Sequence, residues 1–160
     1  MTSATAALPG LLRIPFRVFE DERGWFAEIR RDSALPKRTV QTNVSFSRRG
    51  VVRGLHYHER GQDDLFVCLT GTARVVVLDR ESGDVFAEDV GEENPVAVYV
   101  PGHYAHGFEA LTALLFCYHV TEEYDPDDPD EHGVPWDDPR VRHLWSTQAP
   151  ILSERDTASS

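Results

Sequence analysis

Two histidines one residue apart, His56 and His58 in "RGLHYHERGQDDLFVCLTG", precede a carboxylate at Asp64. A further histidine, His106, closes the stretch "VPGHYAHGF". Alternate side chains of a strand share a face, so this spacing predicts that His56 and His58 project together. Asp64, on an adjoining strand or the turn into it, can close on the same spot. Neutral imidazoles with one carboxylate suit a borderline divalent cation such as iron, nickel, manganese or zinc. A histidine in such a place can equally serve as a general base. His56 has work on either reading, and His58 with Asp64 decides between them.

The elements that must hold these residues read as strands. "TARVVVLD" (72–79), "PVAVYVP" (95–101) and "ALLFCYHV" (113–120) are short runs of β-branched, aliphatic and aromatic residues. Between them stand "RESGD" and "GEENP", which is turn chemistry. "DLFVCLTG" is expected to form a hairpin with the run that follows, turning at Thr70-Gly71. Turn signals roughly every 8–12 residues predict an antiparallel sandwich or barrel. Helix is expected only as a turn near 32–35 and another in the acidic stretch 125–131. The tail "SERDTASS" is small and polar and is expected to fray. The expectation is one all-β domain over 1–160, with 1–12 and 157–160 loosely ordered.

Composition narrows the partners. The chain has 160 residues and a formal net charge of −11. Nucleic acid and anionic membranes both call for a basic face, so neither is an expected partner. No apolar run approaches the roughly 20 residues that span a bilayer. The opening "MTSATAALPGLL" lacks the basic region of a signal peptide. Cys68 and Cys117 sit in apolar runs and read as buried thiols of a cytoplasmic protein.

The series Gly50, His56, His58, Asp64 and Gly71, followed by His106, resembles the two motifs of the cupin superfamily. Asp64 stands where most metal-binding members have glutamate, and His103 where the second motif usually has glycine. A closer likeness runs from about Val18 to Asp156. "DERGWFAEI", "QTNVS", "GVVRGLHYH", "PGHYAHGF", "TEEY", "WDDP" and "PILSERD" resemble, in that order, the dTDP-4-dehydrorhamnose 3,5-epimerase family.

That resemblance implies a single-domain cupin jelly-roll β-barrel with short peripheral helices, a homodimer and a thymidine-diphospho-sugar substrate. It implies a cofactor-free isomerase that removes a proton beside a 4-keto group and returns one to the opposite face. His56 would be the base and Tyr118 the proton donor. Asp138 of "WDDP" is the expected carboxylate orienting His56, with Asp137 as the near alternative. Arg23, Glu28, Gln41, Asn43, Arg53 and His106 fall on substrate-contacting positions. Arg23 and Arg53 would supply the local positive charge that a diphosphate needs.

Two departures from the family bear on the opening choice. His58 replaces a common glutamine, and Asp64 falls where the family keeps a lysine beside the developing enolate. An anion there opposes an oxyanion. Both changes also complete a His56, His58, Asp64 and His106 ligand set. The alternative is therefore a metal-dependent cupin oxygenase, lyase or isomerase with a non-sugar substrate. A third reading is a binding barrel without turnover.

Overall fold

A computed structural model of the chain describes residues 8–159. Strands follow in the order β1 (Leu12–Pro15), β2 (Val18–Asp21), β3 (Gly24–Ala27), β4 (Gln41–Ser47), β5 (Val52–Tyr57) and β6 (Asp64–Thr70). Next come β7 (Thr72–Leu78), β8 (Val85–Gly91), β9 (Val96–Val100), β10 (Ala105–Ala110), β11 (Leu114–Val120) and β12 (His132–Gly133). A short helix, α1 (Glu154–Ser159), ends the described chain. One sheet has the order β1-β9-β6-β11-β4 and the other β12-β5-β10-β7-β8, while β2 and β3 form a separate hairpin. This is a single-domain jelly roll.

The run "TARVVVL" lacks polar alternation because both of its faces are covered. Val75 and Val77 point into the space between the sheets with Phe66, Val98 and Phe116. Val76 and Leu78 face outward, where Val141, Leu144 and Trp145 of the C-terminal segment cover them. The N-terminal segment does the same for the other sheet, laying Ile14, Phe16 and Ile29 over Leu65, Val67 and Tyr99. Across the middle, Phe108 and Phe116 stack with ring centroids 3.9 Å apart, joining the two sheets.

Two expectations are corrected. The segments meeting at Thr70-Gly71 are not a hairpin, for β6 pairs with β9 and β11, whereas β7 pairs with β8 and β10. The chain turns a corner between sheets there, with Gly71 at φ +75°. The acidic stretch 125–131 holds turns rather than a helix. The Asp125 carboxylate accepts the Asp127 N–H, which favours a turn, and Asp130 is turned outward to accept the N–H groups of Glu59 and Arg60. The tail carries α1, with Ser153 ahead of it: its hydroxyl takes the Asp156 N–H at 3.1 Å. Residues 1–7 and 160 lie outside the described residues. Leu8 is buried in the core, and β1 already begins at Leu12.

Strand β5 carries the site. Its register against β10 pairs His56 with His106 but Arg53 with Phe108, so β5 holds one extra residue between them. Gly54 makes this bulge possible. Its φ is +131°, and a Cβ there would lie 2.8 Å from the Gly107 Cα. The bulge also directs the Gly54 N–H away from the ladder, to Asp156.

Candidate active site

A cavity of about 350 Å³ opens between the sheets, and His56, His58, Asp64, Phe66, His106 and Tyr118 all line it. Phe66 sets its apolar floor, edge-on to both His106 and Tyr118. A wider depression of about 570 Å³ adjoins it, sharing His58, Tyr118, Glu131 and Arg155.

His56 donates from Nε2 to Asp156 Oδ1 at 2.6 Å. The other Asp156 oxygen accepts the Gly54 N–H at 3.1 Å. Burial works to raise the Asp156 pKa, yet the His56 hydrogen bond and charge, with smaller help from Gly54 and Arg155, hold it below the usual range. The carboxylate is therefore ionised and fixes the imidazole tautomer, leaving Nδ1 as the proton acceptor. Glu131 Oε1 lies 3.7 Å from that nitrogen and is itself paired with Arg155 at 2.7 Å.

Asp138 is not this carboxylate. Its two oxygens take the backbone N–H, Nε and Nη2 of Arg140, each at 2.9 Å, closing an exposed turn. Asp137 is exposed as well. The sequence did carry a signal for Asp156. "SERD" fits the Ser-x-x-acid pattern of a helix N-terminus, which orders the tail and its carboxylate. Glu131 and Arg155 were also missed, and charge in a polar loop offers little to single them out.

The expected four-ligand cluster divides in two. His58, Asp64 and His106 converge, each buried, with one donor atom from each lying within 4.8 Å of the others. His56 is not of that group. Strand β5 ends at Tyr57, so the alternation that should have placed both histidines together fails one residue before His58. The His58 N–H backbone group goes instead to Gly102 O at 2.7 Å.

Tyr118 is half-buried on β11. Burial, then the negative charges of Asp64 and Glu131, raise its pKa, so the phenol remains protonated. Gln41 and Asn43 are alternate residues of β4, joined by a 3.0 Å hydrogen bond, and both line the wider depression. Arg53 borders the inner cavity, steadied by Ser47 Oγ at 2.9 Å and Phe46 O at 3.1 Å. Arg23 and Glu28 lie elsewhere. Arg23 is exposed at the β2–β3 turn and paired with Asp21, while Glu28 pairs with Arg31.

A jelly-roll barrel with a histidine hydrogen-bonded to an ionised carboxylate, and a protonated phenol lining the same cavity, is suited to moving protons at carbon. The family model described as dTDP-4-dehydrorhamnose 3,5-epimerase matches residues 5–160, and the chain belongs to that family of isomerases. It is 40% identical over 136 residues to the spore coat polysaccharide biosynthesis protein SpsL of Bacillus subtilis, covering 80% of this chain and 89% of that one. It is 36% identical to the dTDP-4-dehydrorhamnose 3,5-epimerase of Pseudomonas aeruginosa, covering 98% and 93%. The solved RmlC epimerase of Legionella pneumophila, in complex with dTDP-4-keto-L-rhamnose, superposes with a TM-score of 0.84 at 29% identity, covering 98% and 90%.

Proposed function

We propose that this chain epimerises a dTDP-4-keto-6-deoxyhexose by proton transfer at carbon beside the keto group. The observation that carries the reading is the His56–Asp156 pair, 2.6 Å apart, in the wall of a cavity that Tyr118 also lines. Family membership supplies the substrate class. His56 Nδ1 removes the proton, and Asp156 stabilises the imidazolium that results. Tyr118, kept protonated by burial, returns a proton from its own side of the sugar. Arg53 and Arg155 give the cavity local positive charge for the diphosphate, although the whole chain is acidic. These transfers require no cofactor.

The direct test is solvent deuterium exchange into dTDP-4-keto-6-deoxyglucose. Incorporation at one or both carbons flanking the ketone is expected. Folded protein that catalyses exchange at neither would overturn the assignment.

We further propose that two copies associate. Val44 and Phe46 are exposed on β4, and Phe19, Trp25 and Phe26 on the β2–β3 hairpin, an apolar surface well suited to a second copy. Arg23 and Glu28, remote from their own cavity, would contact substrate only across such an interface. Sedimentation should give a dimer for the native chain and a monomer for Phe46→Asp. A native monomer at high concentration would exclude it. Cys68 and Cys117, both free and buried, support a cytoplasmic location. Among the described residues no helix is long and apolar enough to cross a membrane.

A further inference from the structure

The proposed transfer leaves the site unbalanced after every turnover. His56 Nδ1 gains the proton taken from carbon, and Tyr118 loses the one it returns to the opposite face. The next abstraction needs a neutral imidazole and an intact phenol, so one proton must leave His56 and one must reach Tyr118. Asp156 is not the exit. It is held at 2.6 Å by the other ring nitrogen, Nε2, whose hydrogen stays in place throughout.

Glu131 stands beside the accepting nitrogen. Its Oε1 lies 3.7 Å from His56 Nδ1, while its Oε2 accepts from Arg155 Nη1 at 2.7 Å. One oxygen is anchored and the other faces the base, where a shift of under about 1 Å makes a hydrogen bond. The backbone on either side is pinned. Asp130, one residue before, has its carbonyl 2.6 Å from His58 Nδ1 and its carboxylate on the Glu59 and Arg60 N–H groups. Strand β12 follows at once and pairs Gly133 with His56. Glu131 lines both the inner cavity and the wider depression, as Tyr118 does. Its charge reaches His58 and Tyr118 as well. Burial first, then Asp64, then Glu131 raise the phenol, so a phenolate left there regains its proton.

We propose that Glu131 is the proton carrier that resets the site, linking His56 Nδ1 to the solvent-open depression. The role rests on the epimerase reading. The Nδ1–H bond of the imidazolium breaks as a Glu131 O–H bond forms, and neutral histidine remains. Glu131 then gives the proton to water in the depression and is again a carboxylate paired with Arg155. Water of the same depression returns a proton to the Tyr118 phenolate. Protons and charge balance over the cycle, and no further reactant enters. Exposure separates the two carboxylates beside the base. Asp156 is 5% exposed and orients the ring, whereas Glu131 is 24% exposed and can trade protons with solvent.

Glu131→Gln keeps an oxygen for Arg155 but cannot carry a proton. Two rates on dTDP-4-keto-6-deoxyglucose in deuterated water test the role. With enzyme in excess, the first deuterium should enter at the native rate. In the steady state, kcat should fall by about 10²-fold, the lower end for a lost proton-transfer group. Added imidazole carries protons and forms no ion pair with a guanidinium. It should therefore restore the variant's later turnovers and leave the native rate unchanged. Circular dichroism reports whether the variant is folded. Should Glu131→Gln not fold, Glu131→Asp carries the same test, since it keeps the charge for Arg155 but withdraws the oxygen from His56. A first turnover slowed as much as later ones, or a loss that imidazole does not restore, would overturn the carrier. Native protein that exchanges no deuterium rejects the epimerase reading and this role with it. An active native chain with an unimpaired variant rejects the carrier alone.

Discussion

The Asp156 carboxylate grips His56 and Gly54 at once, accepting from the imidazole at 2.6 Å and from the backbone N–H at 3.1 Å. An amide in its place keeps the shape but can offer a hydrogen where the imidazole needs an acceptor. In a related histidine–carboxylate pair that exchange lowers kcat by about 10⁴-fold. Asp156→Asn should therefore reduce epimerisation by roughly 10²–10⁴-fold. Asp138→Asn, which touches only the Arg140 turn, should leave turnover unchanged. Steady-state rates for both variants check this, and equal losses would contradict the pairing.

Tyr118→Phe removes the raised-pKa phenol and keeps the ring that packs against Phe66. Product formation should fall by about 10²–10⁴-fold, the range for a lost general acid. If His56 is the base, deuterium wash-in at the carbon it deprotonates should fall far less. Mass spectrometry of recovered substrate separates the two. If wash-in and product formation decline together, Tyr118 is not the donor.

His119 is buried on β11, hydrogen-bonded with Thr42 Oγ1 at 2.8 Å, and its pKa is lowered by burial and then by the Arg30 charge. The unfolded chain takes up this proton near pH 6.5, and the folded chain resists it. Its contribution to stability is therefore present above about pH 6.5 and lost as pH falls through the lower folded value. His119→Gln should be less stable than the native chain at pH 7.5, by a margin that shrinks towards pH 5. Urea midpoints at several pH values measure that margin. A constant margin would be the contrary result.

Gly54→Ala brings a methyl group to 2.8 Å from the Gly107 Cα at a φ of +131°. Overpacking costs about 1–3 kcal/mol and an unfavourable φ a similar amount, so a loss of roughly 2–6 kcal/mol is expected. Adding alanine at the exposed Gly24 meets no atom within 4 Å, although its φ is also positive. Gly24→Ala should thus cost less. Denaturant unfolding of the pair distinguishes steric crowding from backbone strain.

The strands were legible because their apolar runs are bounded by turn residues, and "TARVVVLD" became β7 nearly unchanged. Their partners were less so. Nothing local tells Gly71 to turn a corner rather than a hairpin, since the choice lies in which distant strands can bury both faces. Site residues divide in the same way. His56, His106 and Tyr118 reach one cavity, as family likeness implied, whereas Asp138 and Asp156 could be separated only by tertiary distance. His58 shows the limit of periodicity: its spacing from His56 was right, but the strand stopped between them.

Helix α1 is six residues long and reaches the barrel mainly through strand β5. Such an element opens at lower free energy than the sheets beneath it. Because it carries Asp156, a local opening would unlatch His56 while the barrel stays intact. Warming should accordingly extinguish catalysis several degrees before the sheets melt, and cooling should restore it without refolding. The barrel's heat resistance and the enzyme's working ceiling would then be set by different parts of the molecule.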